Sequence, residues 1–271
     1  MARVKGTLQI TGGVKGLSFY TIQGGDTVYV RTKGGPSAKR MKTGKEFELV
    51  RKHQNEWAAC VKFSRTLKNV VGEVAKLGDF NVSPVWNGLG KKIMALDTGH
   101  PLGERSLQLT RCPEWLAGYN LNKNFPFNSV FRGALQVDLD KEQMSLKITV
   151  PCINTVNDLY NVRKLPCFRL VFSFGFVPDL VCVTDSNYRH YATENGVMEG
   201  VSRSTTTEWF STSAIIESQT IEIDLSAIVK IADTTSVTFV ASAGIQFGNY
   251  SIGSAVEAVK NACCGKIIQV K

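Results

Sequence analysis

At 271 residues, 43% hydrophobic and 20% charged, the chain can bury a full core without disulfides or a metal, and its length admits one large domain or two ordinary ones. The stretch MARVKGTLQITGG lacks the pattern of a secretory signal, and no run of about 18 apolar residues occurs, so the expectation is a soluble, cytoplasmic protein. The net charge of +9 is uneven: residues 1–92 hold 17 Lys and Arg against 6 Asp and Glu, a balance of +11, and residues 93–271 hold 15 against 17, a balance of −2. The cationic character therefore belongs to the N-terminal third and marks a boundary or a separate electrostatic task.

In chain order, three β-favouring runs come first, at residues 4–11, 17–22 and 27–32. They are separated by Gly12-Gly13 and by Gln23-Gly24-Gly25-Asp26, which predicts a small meander. Thr43-Gly44-Lys45-Glu46 fits a capping box. After it, Phe47, Val50, Trp57, Cys60, Val61, Leu67, Val70, Val71, Val74 and Leu77 recur at helical spacing up to the stop at Gly78. Ser83 and Pro84 open a second helix whose buried side is Val85, Trp86, Leu89, Ile93, Met94 and Leu96. Residues 1–97 read as a basic meander plus a helical pair.

Beyond Pro101 the pattern is that of strands, with one short helical turn at residues 113–119. Strands are expected at 130–138 and 144–150, as a hairpin, and at 167–177, 179–184, 200–210, 219–225, 236–247 and 263–270. Alternation in TIEIDL and TFVASAGI suits two packed antiparallel sheets. The whole is α+β: an N-terminal β-meander with two helices, then an antiparallel β-sandwich, jelly-roll-like or Ig-like, over 98–271. The βαβ rhythm of a doubly wound nucleotide fold is absent.

The seven cysteines, Cys60, Cys112, Cys152, Cys167, Cys182, Cys263 and Cys264, are scattered through apolar runs, as befits small core residues in a reducing compartment. Only Cys263 and Cys264 are close together, without the CxxC or neighbouring His of a zinc site. No metal and no cofactor is expected. His53, Trp57 and Cys60 share one helix side, but seven residues of rise, about 10 Å, separate the imidazole from the thiol, too far for direct proton transfer. Asp138, Asp140 and Glu142 read as a solvated hairpin end, because the glycine and longer ligand series of a calcium loop are missing. His100 precedes Pro101 in a linker, and His190 falls in the polar stretch SNYRHYATENG. No catalytic residue is assigned.

The segment RTKGGPSAKRMKTGK, residues 31–45, is cationic and has no acidic residue. It fails the phosphate-loop pattern, since Glu46 follows Gly44-Lys45 and Lys39 stands where the first glycine belongs. With the helix start it offers Arg31, Lys33, Lys39, Arg40, Lys42, Lys45, Arg51 and Lys52 to a phosphate backbone or to an acidic patch on another copy. Tyr20 and Tyr29 either present stacking faces to bases or pair across the strands of the meander.

KGTLQITGGVKGLSFYTIQGGDTVYVRTKGG, FELVRKHQNEWAACVKFSRTLK and GYNLNKNFPFNSVF, with RKLPCFRLVFSFG and TTTEWF further on, resemble a family of uncharacterised proteins of the Bacteroidetes group of bacteria and associated mobile elements. The resemblance runs along most of the chain. It implies a two-part organisation and carries over no catalytic residue. Two function classes follow from the residues themselves. The first is a structural, self-associating protein, a homo-oligomer forming a filament, shell or ring. The alternative is an accessory protein that grips nucleic-acid backbone without reading sequence.

Overall fold

The computed structural model describes residues 2–4, 11–22, 25, 27–185, 188–229, 231, 233–251, 253 and 255–271. Most of the strand expected at 4–11, together with Gln23, Gly24 and Asp26 of the second turn and Ser186 and Asn187 of the polar stretch, lies outside the described residues. The fold is α+β, with an N-terminal β-meander and helices followed by a multi-strand antiparallel sheet domain. It divides into two compact units, Met1–Arg51 and Lys52–Lys271.

In the first unit, strands β1 (Ala2–Val4), β2 (Gly12–Val14), β3 (Leu17–Thr21) and β4 (Val28–Thr32) form one antiparallel sheet in the order β1-β4-β3-β2. Lys15 and Gly16 join β2 to β3 with φ of 40° and 85°. Two positive φ values in a two-residue loop match the right-handed twist of the strands, and Gly16 supplies one of them without strain. A short helix, α1 (Ala38–Thr43), follows; its N-cap is Ser37, whose Oγ accepts the Arg40 amide at 3.2 Å. The expected capping box at Thr43 does not form. Because the chain enters helix at Pro36-Ser37, Thr43 ends α1 and donates its hydroxyl to the Lys39 carbonyl, while Glu46 turns to Arg40.

The long helix α2 (Glu48–Ala75) and α3 (Ser83–Met94) come next. Cys60, Leu67, Val70, Val71, Val74 and Leu77 are buried as the spacing predicts, joined by Ala59 and Phe63. Trp57 and Val50 are instead 50% and 40% exposed, and Val85 and Leu96 are also exposed, whereas Trp86, Ile93 and Met94 are buried. The buried stripe of α2 thus runs one position away from Trp57, through Glu56. Inside α2, Gly72 has φ 58° and ψ −128°. The Ser173 and Ser204 hydroxyls lie there 2.6 Å apart, and Ser204 accepts the Glu73 amide at 3.4 Å.

The remaining elements are α4 (Phe127–Val130), β5 (Gln136–Asp140), β6 (Ser145–Val150), β7 (Ile153–Asn154), α5 (Thr155–Asp158), β8 (Cys167–Pro178), β9 (Leu180–Asp185), β10 (Tyr188–Thr193), β11 (Ser202–Thr206), β12 (Phe210–Ser211), β13 (Ile215–Ile216), β14 (Gln219–Asp224), β15 (Val237–Tyr250) and β16 (Val256–Val270). The largest sheet has the order β11-β8-β15-β16, with β12 also on β8; β14-β6-β5 form a second sheet. One face of β8 and β15 packs Phe168, Phe172, Phe174, Phe239 and Ile245 against Leu146, Ile148 and Ile223 of the smaller sheet. The other face packs Val171, Val177, Val240 and Ile267 against the stripes of α2 and α3. With both faces covered, β8 reads CFRLVFSFGFVP rather than alternating.

This layering moves the boundary. The expected division after residue 97 gives way to one at Arg51, because the helical pair is the outer layer of the sheet domain and shares its core. Three local readings also change. Val130 belongs to α4 rather than to the first hairpin strand, the run 200–210 splits into β11 and β12, and the stretch around His190 is β10, paired with β9 at His190↔Val183.

Candidate partner interface

The cations singled out in the sequence do not share one fate. Arg40 is paired with Glu46 at 2.8 Å with both side chains exposed. The hydrogen bond to its own backbone, then that to Arg40, holds the Glu46 carboxyl below the usual range. Arg51 is spent on architecture: one of its terminal nitrogens donates to the Met41 carbonyl at 2.9 Å and to the Gly44 carbonyl at 2.8 Å, satisfying acceptors that the end of α1 leaves open. Arg31, on β4, lies over the Tyr20 ring, 5.3 Å from its centre. Lys52 is half-buried.

Lys33, Lys39, Lys42 and Lys45 are exposed, and their ammonium groups make no ion pair or hydrogen bond among the described residues. Lys33 reaches back over Gly13, where an added side chain would meet its ammonium group at 2.8 Å. Tyr20 and Tyr29 are register partners across β3 and β4, stacked with ring centres 5.8 Å apart. Each ring therefore offers one face to the other. Between β4 and α2 the chain thus carries four exposed lysines without an ion pair among the described residues, with Arg31 and the tyrosine stack on the preceding strands.

The other titratable candidates resolve into structural groups. His53 is exposed and Cys60 fully buried, and desolvation pushes the Cys60 thiol up to about 11, away from the thiolate a nucleophile needs. Burial likewise raises Cys263 and Cys264. His100 has a partner that its linker position did not suggest: its Nδ1 lies 2.8 Å from Asp97 Oδ2, and Asp97 also accepts the amides of Ser106 and Gly99. His190 Nδ1 lies 3.6 Å from Asp185. Among the described residues no group of three His, Cys, Asp or Glu side chains is placed to hold a metal ion, and no helix is long and apolar enough to cross a membrane.

Sequence reasoning missed the buried carboxylates Asp97, Glu56 and Asp179. Glu56 accepts Arg105 through Nε and a terminal nitrogen at 2.7 Å each, the Gly103 amide at 2.9 Å, and Lys91. Burial raises its pKa, but these donors outweigh burial and hold the carboxyl at about 2. The group ties α2 to α3 and to the 103–105 loop. Its signal was present: a Glu placed on the apolar stripe beside Ala59, Cys60 and Phe63 needs cationic partners. Asp179, at the corner between β8 and β9, is the opposite case. Desolvation pushes it up to about 6 despite the Thr110 hydroxyl and amide that it accepts.

Comparison with known proteins finds no family model, curated protein or solved structure that matches the chain.

Proposed function

We propose that the protein is structural and self-associating, a subunit of a filament, shell or ring that acts through its surfaces. The observation that supports this most is the construction of the first unit. Its four-stranded sheet ends in β1 and β2, each paired on one side only among the described residues, and among its described side chains Val28 is the one buried. Val14 and Leu17, on and beside the β2 edge, are 52% and 38% exposed. Unpaired strand edges with apolar side chains are templates for a further strand, and a sheet this small gains stability by accepting one.

Charge supplies the complement. Residues 1–51 hold 10 Lys and Arg against 3 Asp and Glu, a balance of +7, and residues 52–271 hold 22 against 20, a balance of +2. On the solvent face of the β14-β6-β5 sheet, Asp138, Glu222 and Asp224 are exposed, with Asp140 and Glu142 at the same hairpin end and Lys147 among them. A head-to-tail contact between the lysines of one copy and this face of the next weakens as salt rises. The test is molar mass by light scattering after size exclusion, across protein and salt concentration, for the natural chain and for Val14→Lys. A mass above one chain that falls towards one chain in the variant supports the reading. A monomer at every concentration removes it.

A second reading rests on the row Lys33, Lys39, Lys42 and Lys45: four free ammonium groups on one acid-free segment suit a phosphate backbone. It predicts binding to unrelated DNA and RNA that weakens steeply with salt and is lost when Lys39, Arg40, Lys42 and Lys45 become Gln. Retention on DNA unchanged by that substitution would count against it.

A further inference from the structure

The second unit contains two adjoining cavities that neither reading uses. The larger, about 710 Å³, is polar; the smaller, about 280 Å³, is apolar; Phe125, Arg163, Asn261 and Cys263 line both. Their walls differ in chemistry, and each wall carries something left over.

In the larger cavity the surplus is positive charge. Arg169 on β8 faces Gln246 on β15, and its Nε donates to Gln246 Oε1 at 2.9 Å. Its guanidinium carbon lies 4.6 Å from the centre of the Trp209 ring. Both partners are neutral, and the guanidinium makes no ion pair among the described residues. Arg163 donates to the Lys260 carbonyl at 3.0 Å, again a neutral acceptor, and the Lys260 ammonium makes no ion pair among the described residues. The two acids on the wall are already engaged. Glu73 pairs with Lys76 at 2.7 Å, and Asp79 accepts the amides of Lys123 and Asn124 and the Asn124 side chain. The wall thus carries Lys76, Arg163, Arg169 and Lys260 against Glu73 and Asp79, a surplus of positive charge among the described residues that an anion relieves and that an Arg fork recognises through paired hydrogen bonds.

In the smaller cavity the surplus is apolar surface. Phe125, Tyr160 and Val162 stand at its mouth, 44%, 48% and 52% exposed, over buried Val130 and Phe247. Large apolar side chains gathered at a concave site mark a binding surface rather than scattered exposure.

We propose that the paired cavities bind an amphiphilic organic anion, its carboxylate on Arg169, Arg163 and Lys260 and its apolar body beside Phe125, Tyr160 and Val162. The occupant is specified by both halves: charge alone leaves the apolar mouth wet, and an uncharged chain leaves the cations unpaired. This site is independent of the self-association proposed above.

The experiment uses the full chain with anilinonaphthalene sulfonate as a fluorescent probe, displaced by octanoate, octanol or inorganic phosphate at constant ionic strength. The expected result is displacement by octanoate, with octanol and phosphate weaker by about tenfold or more, the loss of one charge-assisted contact or of the apolar body. Arg169→Gln is expected to weaken octanoate by a similar factor. Val162→Glu, at an exposed position, places a like charge at the mouth and is expected to do the same without touching the core, so it decides the matter should Arg169→Gln fail to fold. Failure of octanoate to displace the probe, octanol binding as well as octanoate, or octanoate affinity unchanged by Val162→Glu would each overturn the proposal.

Discussion

The two units differ in what their side chains are used for. In residues 52–271 two carboxylates are spent inward: Glu56 is enclosed by Arg105, Lys91 and the Gly103 amide, and Asp179 is sealed under Thr110. In residues 1–51 Arg51 alone of the candidate cations is used to close backbone acceptors, four lysines are exposed, and β1 and β2 each pair with a single strand among the described residues. One unit is built to persist and the other to be met. Substitutions in the second unit should therefore move stability, and substitutions in the first should move association.

The largest effect is expected at Glu56. Glu56→Gln leaves Arg105 and Lys91 without their counter-charge, and a loss of about 3–5 kcal/mol is expected in chemical denaturation. In the natural protein the same group fixes an acid limit. Its folded pKa of about 2 lies below the ordinary 4.5, so its stabilisation is complete above pH 4.5 and disappears as pH falls towards 2. A stability unchanged by Glu56→Gln at neutral pH would break the contrast between the units.

Gly72→Ala is expected to cost about 1–3 kcal/mol, because the position has positive φ and an added Cβ would stand 2.7 Å from Ser204 Oγ. Asp179 sharpens the comparison through pH. Its folded pKa, about 6, lies above the ordinary 3.8, so the folded state holds a proton more tightly and stability falls as pH rises through that interval. Asp179→Asn removes the buried charge, and its melting temperature relative to the natural protein should rise between pH 4 and pH 7. Smallest is the effect on stability of replacing Lys39, Lys42 and Lys45 by Gln, expected within about 0.5 kcal/mol per site since each is exposed and unpaired. The same replacement should change the salt dependence of association.

How much of this could be read from the sequence depended on whether local chemistry or distant packing decided. Strand runs with β-branched alternation, such as TIEIDL, and the stripe from Cys60 to Leu77 were legible because periodicity records burial directly. The break before the long helix was not, because Ser37, after Pro36, caps a separate short helix that Thr43 ends, and α2 begins only at Glu48. The domain boundary was misplaced because composition cannot say that the second face of a sheet awaits a helix layer. The tyrosine pair and the acid-free lysine segment were visible at once, and helical spacing put Glu56 on the apolar stripe, but its partner Arg105, and the meeting of Arg169 with Gln246 and Trp209, join residues far apart in the chain that neither spacing nor charge pattern announces.

Whether copies of this chain meet through the first unit is tested most directly by negative-stain electron microscopy of the purified protein beside Val14→Lys. Filaments, shells or rings that the substitution disperses into separate particles are predicted. Single particles of one-chain size for the natural protein, at low and high concentration alike, would contradict it.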